Sequence, residues 1–168
     1  RRSSDLMVKD GWFPATNYLS PPVGSNPFGV AGLRTIAFEL VEDLGPDTID
    51  VVVAPTSRGD LIWGLCEGYE QLRSAGLIGF VPRLYAVEPF PRLSRVVRGE
   101  DIARSFEGTT TLSSIGGSTV TFQALRAIQA EMAAIALVHA SHGQQHGEVG
   151  RIEIRIPGRL SANFSAQS

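Results

Sequence analysis

Thr56-Ser57-Arg58-Gly59-Asp60 is a stretch whose residue types and order suit the holding of an anion. It follows the β-branched run Ile49-Asp50-Val51-Val52-Val53, which reads as a strand buried on both faces of a parallel sheet, and precedes an apolar-periodic segment. Strand, short polar loop and helix start bring unpaired backbone N–H groups and the positive end of a helix dipole to one point. That arrangement is worth about 0.3–1 kcal/mol for a bound charge and up to about 2 when partly buried. Arg58 adds a fork suited to phosphate, and Asp60 suits a helix N-cap. The same residues also describe a βα turn with a solvated arginine, and both readings stand on the residues alone.

Other candidates lie further along. Glu88 ends the run Arg83–Glu88, at the strand edge where open α/β sheets bind ligands, and reads equally as a solvated loop carboxylate. Ser118 and Thr119 close a polar, glycine-containing loop before a helix, either a contact for a substrate carboxylate or phosphate or a plain connection. His139, His142 and His146 have helical metal-ligand spacing, but Gly143 and Gly147 interrupt them, and no metal site is expected. Cys66, the single cysteine, rules out an internal disulfide framework and reads as a small buried hydrophobe.

The elements that must position these residues alternate. Val30, Leu33, Ile36, Ala37, Leu40, Val41 and Leu44 recur at helical spacing up to Gly45-Pro46. A second helix carries Leu61, Ile62, Leu65, Tyr69 and Leu72, with Gly64 and Gly68 forming a small-residue stripe for close approach of a neighbour. Arg83–Glu88 is a strand, Val120 to about Met132 a helix, and Ala134–Val138 a third strand. This order predicts an α/β fold, a three-layer sandwich with a mainly parallel sheet and right-handed crossovers. Residues 1–29 read as a helix end and an irregular Pro/Gly-rich connection, 30–140 as the core. Residues 141–168 read as a divergent, partly disordered tail with an edge strand at Arg151–Ile156.

The chain has 168 residues, 43% hydrophobic and 19% charged, with net charge −2, which is ordinary for one globular core. No basic face suggests nucleic acid, and no apolar run of about 18 residues suggests a membrane span. The expected location is cytoplasmic.

Asn26-Pro27-Phe28-Gly29-Val30-Ala31-Gly32-Leu33-Arg34-Thr35-Ile36-Ala37-Phe38-Glu39 resembles the NP-aromatic…EG-x-KT-I-A-x-E segment of threonine synthases and related fold-type II pyridoxal-phosphate enzymes, the tryptophan synthase beta-like group. The resemblance continues through residues 51–72, Pro82–Pro89 and Ala124–Ile128, covering roughly residues 5–140. It implies that Thr56, Ser57, Arg58, Gly59 and Asp60 stand where the family cradles the cofactor phosphate, that Glu88 lies on the cofactor side, and that Ser118 and Thr119 lie on the substrate side. The family's loop is glycine-rich and followed by Asn; here Gly59 is the loop's single glycine and Asp60 replaces the Asn. The family's cofactor is carried on a lysine upstream of the NP segment. Lys9 is the only lysine here, and Met7-Val8-Lys9-Asp10-Gly11 matches no such motif. No counterpart of the family's pyridine-nitrogen partner is found.

Two expectations follow. In the first, this is a partial threonine synthase-like or amino-acid ammonia-lyase chain, an incomplete gene product with a frame shift near residue 140, inactive in isolation. In the second, it is a non-catalytic α/β module that binds a phosphorylated small molecule or pairs with a separate lysine-bearing subunit. Either a missing N-terminal half or a homo-oligomer would cover the exposed edge.

Overall fold

The computed structural model describes residues 9–11, 25–129, 133–137, 152–154 and 162–164. Asn26 opens the first helix, α1 (Pro27–Gly32): its side chain accepts from Phe28 N at 3.0 Å and Pro27 takes the first turn, where a missing N–H costs nothing. The NP pair is thus a helix start. α2 (Thr35–Leu44) follows after a two-residue turn and ends at Gly45, φ 90°. The expected single helix from Val30 to Leu44 is therefore broken at Leu33-Arg34. Thr35 Oγ1 donates to the Gly32 carbonyl at 3.0 Å, and the Leu33 and Arg34 N–H groups reach back only three residues, tightening the chain into a turn.

β1 (Val51–Pro55), α3 (Asp60–Ser74) and β2 (Arg83–Glu88) form a parallel βαβ unit, with Val51 opposite Arg83 and Pro55 opposite Val87. A short α4 (Leu93–Val97), a 3₁₀ turn (Ser113–Ile115) and α5 (Phe122–Gln129) lead to β3 (Ala133–Leu137), parallel to β2. The sheet order is β1-β2-β3. β4 (Ile152–Ile154) and β5 (Ala162–Phe164) pair antiparallel, so the expected strand near residues 151–156 has a partner in the tail, at residues expected to be disordered.

The α/β class and the parallel sheet are as expected. One detail differs. Val51 and Val53 are 40% and 45% exposed, so β1 is buried on one face only. The physical reason is the strand order. Two right-handed crossovers that advance in the same direction place their helices on the same side of a sheet. Ala54, Leu84 and Ala86 point to that side and pack with Ile62, Leu65, Cys66, Ala124 and Ala127 from α3 and α5. Each fully buried aliphatic side chain there contributes about 1.5–3 kcal/mol before entropy is counted. The small-residue stripe is used as expected. A Cβ on Gly64 would lie 2.5 Å from Leu33 Cβ, and one on Gly68 would lie 2.8 Å from both Ala37 Cβ and the Arg34 carbonyl oxygen. These glycines let α2 cross α3 backbone to backbone.

Candidate functional site

Thr56 to Asp60 lies at the carboxyl end of β1, where the strand ladder continues for one more bond from Thr56 N to the Val87 carbonyl at 2.8 Å. Gly59 takes the N-cap position with φ 103°, a left-handed conformation that a side chain would strain, and Asp60 is the first helical residue rather than the expected cap. Space enforces the choice as well as φ. A Cβ on Gly59 would collide with Ala124 Cβ on α5. Asp60 Oδ1 accepts from Ser25 Oγ at 2.6 Å, which ties the segment before α1 to the loop. Arg58 is half-buried; desolvation pushes its guanidinium toward losing its proton, and the Asp60 carboxylate opposes this. An anion at the loop would offset the same desolvation.

The stretch 113–121 lies over this loop. Thr121 N and Oγ1 both donate to the Arg58 carbonyl, at 3.0 and 3.2 Å, while Thr121 Oγ1 also accepts from Ala124 N as the N-cap of α5. That cap explains why the helix expected from Val120 begins at Phe122. A Cβ on Gly117 would stand 2.7 Å from Ser57 Oγ, so the two loops touch. Ser118 is exposed and its carbonyl accepts from Phe106 N at 2.7 Å; Thr119 is half-buried. The structure thus brings the Thr56–Asp60 loop and the neighbourhood of Ser118 together.

Glu88 is fully buried at the end of β2 and is occupied within the fold. Its Oε1 accepts from Arg92 N at 3.1 Å and Leu93 N at 2.6 Å, and its Oε2 accepts from Ser94 N at 3.1 Å. It is the anion of its own helix start. Arg92, also fully buried, escaped the sequence reading. Its Nη2 donates to the Thr56 carbonyl at 2.7 Å and its Nη1 to the carbonyls of Ile115, at 3.1 Å, and Gly117. The signal that could have found it is the Glu88-Arg92 spacing at a strand end, upstream of the Gly116-Gly117 pair. Ser25 and Thr121 were missed for the same reason: their partners lie 35 and 63 positions away.

Cys66 is buried and its thiol is pushed up to about 12 by desolvation, consistent with a hydrophobe and not a nucleophile. The three histidines lie outside the described residues. Among the described residues no cluster of His, Cys, Asp or Glu is arranged for a metal, and no helix is long and apolar enough to cross a membrane.

The architecture is that of an open parallel α/β domain, a class that binds its ligands at the carboxyl ends of the strands, where the Thr56–Asp60 loop lies under a second loop. Residues 6–144 match the pyridoxal-phosphate dependent enzyme family, and the chain belongs to it. A threonine synthase of Methanocaldococcus jannaschii is 29% identical over 63 residues, 38% of this chain and 16% of that protein. The processed form of threonine deaminase isoform 2 from Solanum lycopersicum superposes with a TM-score of 0.60 at 20% identity, over 82% of this chain and 36% of that one. Maize serine racemase does so with a TM-score of 0.52 at 16% identity, over 67% of this chain and 33% of that one. At these identities the structural likeness shows the fold. The chain spans 16% of the threonine synthase and about a third of each of these two structures.

The family's cofactor is pyridoxal 5′-phosphate, and its two ends fit this chain differently. The phosphate end fits. Gly59 opens α3 in the left-handed conformation with no side-chain cap, and the first N–H groups of a helix have no acceptor within the helix itself. The end that needs covalent attachment does not fit: Lys9 is the sole lysine, and it is exposed.

Proposed function

We propose that this chain is the phosphate-binding portion of a pyridoxal-phosphate enzyme acting on an amino acid by elimination or replacement, in the manner of a threonine synthase or an amino-acid ammonia-lyase, and that alone it is catalytically silent. The observation that carries the reading is the Gly59-opened helix start beside a partly desolvated Arg58, at the carboxyl end of a parallel strand, in a chain of this family. The Ser57, Gly59 and Leu61 N–H groups and the Arg58 guanidinium hold the phosphate. Asp60 keeps its charge toward Ser25, and the Ser118-Thr119 backbone borders the substrate side. Glu88 acts at one remove, by fixing the turn after β2. Bound cofactor supplies an electron sink for carbanion character on the substrate. This chain's residues supply binding and orientation.

Calorimetric titration with pyridoxal 5′-phosphate tests the reading. We expect saturable binding that inorganic phosphate competes away, weakened about ten- to hundredfold in Arg58→Gln, the loss expected for one charge-assisted hydrogen bond. Equal affinity in wild type and variant would sink the loop assignment. Threonine release from O-phosphohomoserine, or ammonia release from serine or threonine, by this chain alone would overturn the claim of silence.

The single, exposed Lys9 favours a second reading, a binding module that pairs with a lysine-bearing chain. Activity that arises only on mixing with such a chain would select it.

A further inference from the structure

Arg92 is a fully buried cation whose guanidinium lies between two loops. Its hydrogen bonds run to the Thr56 carbonyl on one side and to the Ile115 and Gly117 carbonyls on the other. Its Nε makes no hydrogen bond among the described residues and stands 3.8 Å from Glu88 Oε1, an oxygen already taken by two backbone N–H groups. The Phe90 ring lies 4.5 Å from the guanidinium carbon, and Gly108 packs so closely on that ring that a Cβ there would collide with it. The cation is therefore solvated by carbonyls from two distant stretches of chain and walled in by an aromatic ring. Moving either loop leaves carbonyl-starved N–H groups in a dry site, so neither loop can shift alone without cost.

We propose that Arg92 is a positioning residue that couples occupation of the Thr56–Asp60 loop to the ordering of residues 113–118, the approach to the substrate side. The inference rests on the phosphate-loop reading above. Thr56 is held by both β2 and Arg92, so a ligand that stiffens the loop acts directly on one carbonyl of the bridge. Lysine cannot replace this fork, because an ammonium on a shorter reach meets fewer of the diverging carbonyls.

Hydrogen exchange on the full chain, with and without inorganic phosphate, tests the coupling. In wild type, phosphate should slow exchange at 56–61 and at 113–118 with one shared midpoint. In Arg92→Lys, phosphate should still protect 56–61, with affinity within about tenfold of wild type, while the protection at 113–118 disappears. Protection of 113–118 in Arg92→Lys equal to wild type would overturn the proposal, as would separate midpoints in wild type. The latter comparison decides the matter even if the variant does not fold. If wild type binds no phosphate, the phosphate-loop reading fails by itself. The ligand-free exchange then judges the bridge: Arg92→Lys must loosen both loops and leave α3 unchanged, and loosening of one loop or neither overturns it.

Discussion

β1 and β2 both deliver the chain, at their carboxyl ends, to the start of a helix, and the two starts are satisfied by different means. After β2, Glu88 turns back on its own strand end and accepts three N–H groups of the α4 turn. After β1, the carboxylate at the helix start, Asp60, accepts from Ser25 Oγ, and the loop is packed against Ala124 and tied through the Arg58 carbonyl to Thr121. The difference teaches that two helix starts at strand carboxyl ends, each with a carboxylate at hand, use it differently: Glu88 on its own backbone N–H groups, Asp60 on a distant serine. One turn is completed by its own carboxylate; the other, on the function proposed above, is completed by a bound phosphate.

The comparison breaks most readily at Glu88. Glu88→Ala removes the carboxylate from three backbone donors and leaves Arg92 a buried, uncompensated charge, which should destabilise the fold by about 3–5 kcal/mol in urea unfolding. A loss below about 1 kcal/mol would mean that the turn after β2 does not need its internal anion. Next is Gly59→Ala. Left-handed strain of about 1–2 kcal/mol adds to overpacking against Ala124 of similar size, so about 2–4 kcal/mol is expected, together with weaker phosphate binding. If stability falls but phosphate affinity holds, the turn after β1 is merely tightly packed, and the contrast with the turn after β2 loses its functional half.

Much of this framework was legible in the sequence because it depends on local pattern. The strand Arg83–Glu88 has the expected bounds, the Gly64/Gly68 stripe receives a helix, and β1 runs straight into the Thr56–Asp60 loop and the helix after it. What was not legible depends on pairs far apart in the chain. The exposure of Val51 and Val53 follows from strand order and crossover hand, which a β-branched run does not encode. Arg92 sits in a stretch without periodicity, and its meaning comes from carbonyls 23 to 36 positions away. Glu88 was placed correctly at the strand end, but a strand end does not reveal whether a carboxylate faces a ligand or its own backbone. The break at Leu33-Arg34 was hidden because both residues suit a helix; the Thr35 hydroxyl decides it by taking the Gly32 carbonyl.

Thr121 links the two turns and gives a smaller effect. Thr121→Ala removes the α5 cap and one of the two bonds to the Arg58 carbonyl, for an expected loss of about 1–2 kcal/mol. Its use is diagnostic. Phosphate affinity should fall along with stability, because the Arg58 carbonyl belongs to the candidate loop. If Thr121→Ala destabilises by a cap's worth and leaves phosphate binding untouched, the overlying stretch holds α5 but not the loop.

The smallest effect comes from a pair of the same residue types as Glu88 and Arg92. Arg73 Nη2 donates to Glu70 Oε2 at 2.6 Å on the exposed side of α3, a shorter contact than the 3.8 Å between Arg92 Nε and Glu88 Oε1. Distance alone would rank the surface pair as the stronger. Burial ranks them the other way. At Glu70 and Arg73 water solvates either partner once the other is removed, so Glu70→Ala should cost no more than about 0.3–0.5 kcal/mol, and less as salt is added. At Glu88 no water replaces the lost oxygens, and the cost includes an Arg92 cation with nowhere to go. Urea unfolding of Glu70→Ala and Glu88→Ala side by side measures that difference directly. Comparable losses would show that the buried carboxylate acts as an ordinary ion-pair partner, and that the turn after β2 is not completed by Glu88 in the sense argued here.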